Sequence, residues 1–159
     1  MIHIYYGLGK GKTCSSVGQV MRMVGHGRKT LFCQFIKDGS SGEVSIIKHE
    51  HISYLCPLDF ESLEDNKLVF EKARVLHFMK NYDIIVLDEG LDAMIGGAFS
   101  EKDLVNFIEK CNIYGTELVI TGHYLPEPAI LQRVDYLTHF EKQKHPYDRG
   151  IGAREGVEY

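Results

Sequence analysis

An α/β fold with a mainly parallel sheet flanked by helices is what this sequence predicts. Short β-rich runs alternate with segments of helical periodicity, a glycine-rich loop joins the first strand to the first helix, and a later apolar run ends in two carboxylates. The 159 residues suffice for one hydrophobic core. No internal repeat or convincing linker divides them, so one domain is expected over residues 1–159, with 141–159 as a C-terminal tail.

The run Ile2 to Tyr6 (IHIYY) is short, β-rich and ended by glycines, and Thr13 to Val24 carries Val17, Val20, Met21 and Val24 at helical spacing. Glycines in the stretch Gly25 to Arg28 close that helix, and Lys29 to Ile36 reads as the next strand, completing a β-α-β unit. Periodicity weakens from Asp38 to Ser62, where residues 38–42 are a loop and HISYLCP is a candidate strand stopped by Pro57. From Leu68 to Asn81, apolar residues at 68, 69, 73, 75, 76, 78 and 79 suit a helix facing a core. The apolar run Ile84 to Leu87 fits a strand buried on both faces, as crossover helices require of a parallel sheet. Residues 101–112 read as a helix, ELVITG as a strand, 127–133 as a short helix and DYLTHF as the last strand.

Composition removes several classes of function. A formal charge of −4 with 44% hydrophobic residues fits neither a disordered polyelectrolyte nor a basic nucleic-acid binder. The N-terminus enters a strand without a basic segment, a long apolar stretch or a cleavage site, so export is not expected. No run approaches the roughly 20 apolar residues of a membrane helix, and a soluble, cytoplasmic protein is expected. Cys14, Cys33, Cys56 and Cys111 are widely spaced and read as reduced thiols, and His26, His49, His51 and His123 form no metal-ligand pattern.

The stretch YYGLGKGKTCSS carries the chemistry. A Walker A loop is Gly, four residues, then Gly-Lys-Ser/Thr. Here Gly11-Lys12-Thr13 supplies the second half, but Tyr6 stands where the first glycine belongs and Gly7 comes one position late. Glycines let successive N–H groups turn toward an anion, and the following helix adds its positive N-terminal end. Lys12 contributes a point charge and Thr13 a hydroxyl suited to Mg²⁺; Lys10 adds a second cation inside the loop, and Arg22 lies further along the helix. The run IIVLDE then puts Asp88 and Glu89 at the C-terminal end of a buried strand, the rim where α/β proteins bind ligands. The two motifs together read as Walker A and Walker B.

With these residues in view, the chain resembles the P-loop type of ATP:corrinoid adenosyltransferase over nearly its whole length. The anchors are GLGKGKT with the same short loop, MRMVGHGRKTLFCQFIK after it, VLDE, TGH followed by RVDYLTHF, and the tail KHPYDRGIGAREGVEY. The tail is the most specific, since a Walker A motif is shared by many classes of protein. The resemblance implies a RecA-like P-loop nucleotide-binding fold and a reaction in which cobalt(I) of a reduced corrinoid attacks C5′ of ATP and inorganic triphosphate leaves. It also implies that ATP lies in the loop in the reverse sense to ordinary P-loop enzymes, which a loop lacking a glycine at position 6 is compatible with.

The same resemblance assigns residues. Lys12 and the N–H groups of Gly9 and Gly11 would hold phosphates, Gly7, Leu8 and Cys14 would complete the nucleotide site, and Lys10 and Arg22 would be further cationic contacts. Thr13 and Glu89 would bind Mg²⁺ with Asp88 beside them; Lys12 and Glu89 are the implied catalytic residues, neither as a covalent nucleophile. Implied partners are ATP, the corrinoid substrate, a flavoprotein reductant and a second copy in a homodimer, without nucleic acid or membrane. A P-loop ATPase or kinase of another substrate class, and a non-catalytic ATP-binding module, are the competing readings.

The chain departs from the family pattern on the corrinoid side. Longer relatives carry an N-terminal segment that covers the corrinoid, whereas this chain begins at its first strand. After Gln34-Phe35 they carry Gly-Phe-x-Trp, whose rings displace the cobalt's lower ligand; this chain has no Trp and leaves only Tyr54 and Phe60 for the task. Leu8 in the loop and His123 after Thr121-Gly122 also differ from family Asn and Arg positions. Adenosylation of cobalt(I) is therefore expected to proceed more readily than turnover that starts from cobalt(II).

Overall fold

A computed structural model describes residues 1–47 and 49–157; Glu158 and Tyr159, the end of the tail motif, lie outside the described residues. In chain order the elements are β1 (Ile2–Tyr6), α1 (Lys12–Val24), β2 (Thr30–Gln34), α2 (Glu43–Ile46), β3 (Ile52–Leu55), α3 (Leu63–Lys80) and β4 (Ile84–Asp88). Then follow α4 (Gly90–Ile95), α5 (Glu101–Tyr114), β5 (Glu117–Gly122), α6 (Pro128–Leu131), β6 (Tyr136–His139) and a 3₁₀ turn (Pro146–Arg149). The strands form one sheet in the order β3-β2-β4-β5-β1-β6, and every adjacent pair is parallel.

Alternation along the strands divides the core into two layers. Ile84 and Val86 of β4, Phe32 of β2 and Val119 of β5 face one side, where Val20 of α1 packs. Ile85 and Leu87, Leu31 and Cys33, and Leu118 and Ile120 face the other, against Phe70 of α3 and Leu104, Phe107 and Ile108 of α5. Each fully buried Ile, Leu or Phe contributes about 1.5–3 kcal/mol. β4 is buried along its whole length, as its unbroken apolar run predicts.

Several boundaries differ from the sequence expectation. α3 begins at Leu63 rather than Leu68, because the Ser62 side chain accepts the Asp65 N–H and caps a first turn too polar to show in the apolar pattern. That helix is apolar on more than one side: Val69, Phe70 and Ala73 are buried, whereas Leu68, Val75, Phe78 and Met79 are exposed. α2 and α4 were not expected, being too short to develop a period. No described helix is long and apolar enough to cross a membrane.

Candidate functional site

Lys12 opens α1, and its cap residue Gly11 offers no side chain to the first-turn N–H groups. Such a helix start is a ready anion site. It faces a cavity of about 230 Å³ lined by Leu8 to Cys14 together with Glu89, Thr121, His123, His145 and Val157. The Lys12 ammonium is folded onto its own loop, donating to the carbonyls of Gly7 at 2.7 Å and Gly9 at 3.0 Å. Burial holds its pKa below the usual lysine value, against the opposing pull of the Asp92, Glu89 and Asp88 carboxylates.

The short loop is closed by the chain leaving β6. The Phe140 N–H donates to the Tyr6 carbonyl, and the Gly9 N–H donates to the Phe140 carbonyl, both at 2.7 Å. A Cβ on Gly9 would lie 2.7 Å from that carbonyl oxygen, so only glycine fits beneath the crossing strand. Gly7, at φ +117°, meets the same oxygen and is the second position that requires glycine. The Gly9 N–H expected to face phosphate is therefore committed to Phe140. Lys10 reaches the tail, donating to the Val157 carbonyl.

Strand order brings the second motif to the loop. β5 lies between β1 and β4, so Thr121 at its end separates the loop from Asp88. Asp88 is fully buried and accepts from Thr13 Oγ1 at 3.0 Å, Thr121 Oγ1 at 2.9 Å and Lys37 Nζ at 2.7 Å. The Gln34 amide adds a longer contact of 3.4 Å. Glu89 takes the left-handed conformation at φ +58°, and its N–H donates to Thr121 Oγ1 at 2.8 Å. Burial raises its pKa, and the neighbouring Asp88 and Asp92 raise it further against the pull of Lys37.

Lys37 is a member of this cluster that the sequence reading passed over. Its ammonium touches Thr13 Oγ1 at 3.1 Å and Asp88 Oδ2 at 2.7 Å, and lies 3.6 Å from Glu89 Oε1. Burial alone would lower its pKa, but the two carboxylates and the Asp88 hydrogen bond outweigh that and hold it above the ordinary lysine value. Ile36 just before it adopts φ +54°, which costs a β-branched residue about 1–2 kcal/mol. The conformation is held by Asn66, whose Oδ1 accepts the Ile36 N–H at 2.8 Å and whose amide is fixed to the Phe60 and Ser62 carbonyls. Gln34 also bonds Glu43 at 3.1 Å and accepts from the Tyr54 hydroxyl at 2.7 Å, so the network runs from β3 to the loop. On the loop's other flank, Asp92 accepts the His123 N–H at 3.1 Å and meets its ring Nδ1 at 3.1 Å.

Not every expected residue joins this cluster. Arg22 is exposed in the last turn of α1, about 15 Å along the axis from Lys12, and its charge acts on Tyr5. Tyr54 is tied to Gln34 and stacked on Phe32, with ring centroids 6.4 Å apart, while Phe60 is exposed just ahead of α3. A larger cavity of about 690 Å³ shares Thr13, Cys14, Glu89 and Val157 with the first and extends along Lys37, Glu43 and Ile46. Two carboxylates and a hydroxyl are the hard oxygen donors that suit Mg²⁺, which takes most of its remaining ligands from phosphate and water. Among the described residues no group of three or more His, Cys, Asp or Glu side chains forms an all-protein metal cage.

Known proteins resemble this chain in sequence and in fold. The profile of the family described as ATP:corrinoid adenosyltransferase BtuR/CobO/CobP matches residues 1–159. A corrinoid adenosyltransferase of a Sinorhizobium species is 28% identical over 175 residues, covering 100% of this chain and 80% of its own length. The corrinoid adenosyltransferase of Escherichia coli K12 is 27% identical over 171 residues, covering 100% of this chain and 85% of its own. In structure, the flagellar accessory protein FlaH of Methanocaldococcus jannaschii superposes with a TM-score of 0.63 at 19% identity, over 87% of this chain and 69% of that one. ATPases 2 and 3 of EssC from Geobacillus thermodenitrificans give a TM-score of 0.58 at 14% identity, over 99% of this chain and 36% of that one. These structural likenesses establish the RecA-like P-loop fold.

Proposed function

Because the chain belongs to the ATP:corrinoid adenosyltransferase family, a family of transferases, we propose that it moves the 5′-deoxyadenosyl group of ATP onto the cobalt(I) of a reduced corrinoid. The cobalt supplies an electron pair to C5′, the C5′–O bond breaks, and triphosphate leaves with that bond's electrons. The corrinoid substrate brings its own nucleophile, so the protein contributes position, charge stabilisation for the leaving group and exclusion of water. The observation that carries this reading is the family match over residues 1–159.

In this reading residues 1–159 act as one nucleotide-binding domain, with residues 141–159 as its C-terminal tail. Triphosphate sits at the start of α1, where Lys12 leaves the Gly7 and Gly9 carbonyls for phosphate oxygens. Lys10, Gly11 and Cys14 line its path, with Leu8 at the mouth. Gly7 and Gly9 serve by letting the strand end at Phe140 cross the loop. Thr13, Glu89 and Asp88 hold Mg²⁺, which when bound neutralises charge on the departing triphosphate. Arg22 is left out of the cradle in favour of its surface position. The adjoining 690 Å³ cavity, walled by Ile46 and Val17, offers apolar surface beside the phosphates where a non-phosphate part of the substrates can rest.

Incubation with ATP, Mg²⁺ and chemically reduced cobalamin tests the reading. Adenosyl transfer yields a light-sensitive cobalt–carbon bond and triphosphate. ADP with phosphate would instead reveal a hydrolase, and bound but unchanged ATP a binding module.

A further inference from the structure

Lys37 Nζ stands within 3.1 Å of Thr13 Oγ1 and Asp88 Oδ2 and 3.6 Å from Glu89 Oε1. These are the three side chains whose oxygens the proposed function gives to Mg²⁺, and the ammonium among them has only 19% of its side chain exposed. Its placement is built in. The left-handed turn at Ile36 aims the lysine back across the ends of β2 and β4, and Asn66 holds that turn. A metal ion needs oxygens at about 2.0–2.1 Å, so it cannot enter while the ammonium uses the same lone pairs. Lys37 also borders the 690 Å³ cavity, which gives its side chain room to swing without backbone movement.

We propose that Lys37 is the resident counter-cation of the metal-ligand oxygens: it occupies them in the nucleotide-free protein, keeps out free divalent cations, and yields only when ATP arrives with its metal. This rests on the reading of Thr13, Asp88 and Glu89 as the Mg²⁺ ligands. Lys37 acts here as a positioning residue. Before ATP binds, it holds the Thr13 hydroxyl and the Asp88 carboxylate in place without a metal; afterwards, the triphosphate gives its ammonium a new anionic partner. Metal binding thereby becomes conditional on nucleotide, and the two carboxylates never face each other without a cation.

The test is a titration of nucleotide-free protein with Mn²⁺, following free Mn²⁺ by electron paramagnetic resonance. Lys37→Met, which removes the charge and keeps the length, should bind Mn²⁺ at least about tenfold more tightly than the parent, and Lys37→Arg should stay at the parent's level. The double variant Lys37→Met with Glu89→Gln should lose the gained site. Equal Mn²⁺ affinity in the parent and Lys37→Met would overturn the proposal, as would a gained site that survives in the double variant. Should Lys37→Met fail to fold, Lys37→Gln replaces it under the same criteria. Binding of a non-hydrolysable ATP analogue with Mn²⁺ is measured in parallel on the parent. No binding there defeats the nucleotide-site reading, whereas the nucleotide-free titrations judge Lys37 separately.

Discussion

At the C-terminal rim of the sheet, Gln34, Asp88 and Thr121 are fully buried and all three are hydrogen-bonded. At the N-terminal rim, Thr30 and His77 are almost as deeply buried, yet Thr30 Oγ1 and both ring nitrogens of His77 have no hydrogen-bond partner among the described residues. His77 lies in the last turn of α3, with its ring edge-on to Phe107 and Tyr114 of α5. Backbone conformation divides the same way. The non-glycine residues with positive φ at the C-terminal rim are Ile36 and Glu89, for which that conformation is costly, whereas at the other rim it is Asn81, which takes it readily. Buried polarity is networked at the C-terminal rim, whereas at the N-terminal rim Thr116 is satisfied by the Tyr82 carbonyl at 3.0 Å but Thr30 and His77 go unpartnered among the described residues, a loss of stability.

Asp88→Asn strikes the C-terminal rim hardest. It weakens four contacts and leaves Lys37 without its closest charge partner, so a loss of about 3 kcal/mol in unfolding free energy, read as a lower denaturant midpoint, is expected along with loss of activity. An unchanged midpoint would mean that the network carries no stability. Lys12→Ala should separate the two roles: affinity for ATP falls about 100-fold by calorimetry while the melting temperature holds, because the residue is outside the core. Near-parental affinity in the folded variant would remove the phosphate-site reading. Glu89→Gln keeps size and bound ATP but should lower Mg²⁺-dependent turnover about 30-fold; parental turnover with unaltered Mg²⁺ dependence would place the metal elsewhere.

A fourth prediction concerns unevenness within the functional rim. Tyr54 is tied into the network, so it is not free to displace a cobalt ligand, and turnover from cob(II)alamin with a reduced flavoprotein should run about tenfold below that from chemically generated cob(I)alamin. Equal rates with a four-coordinate cobalt(II) spectrum would show that other residues do that work. The smallest effect belongs to the opposite rim. Burial, then the charge of Lys110, lowers the His77 pKa, so the unfolded chain takes up a proton that the native state refuses. This contribution to stability is intact above the unfolded value near 6.5 and is lost as pH falls toward the lowered native value. His77→Phe should gain about 1 kcal/mol at pH 7, and its advantage should widen between pH 7 and pH 5 in thermal melts. A constant difference across that range would remove His77 as an acid-sensitive point.

What the sequence made legible follows from range. β1, β4 and β5 stand out because an apolar run and its punctuation are local, and the loop with Asp88-Glu89 stands out because each motif is contiguous. Lys37 and Thr121 do not, since their meeting with Asp88 depends on β2 and β5 flanking β4, across 51 and 33 residues of chain. Arg22 shows the opposite limit: close in sequence to the loop, it is carried to the far end of α1 by the rigid rise of the helix. The α3 start was readable in principle from Ser62-x-x-Asp65, a cap signal without an apolar companion.

The first strand of the chain has the last partners. β1 lies between β5 and β6, and its loop is finished by Phe140. During synthesis the loop motif therefore emerges before β5, β6 and Phe140 and matures only with them. A nascent chain stopped before residue 117 holds every residue of GLGKGKT, yet has no neighbouring strand to hold β1 and no carbonyl to close the turn. Closure of the loop thus waits on contacts made far along the chain, and the stretch through Phe140 completes the turn that the motif begins.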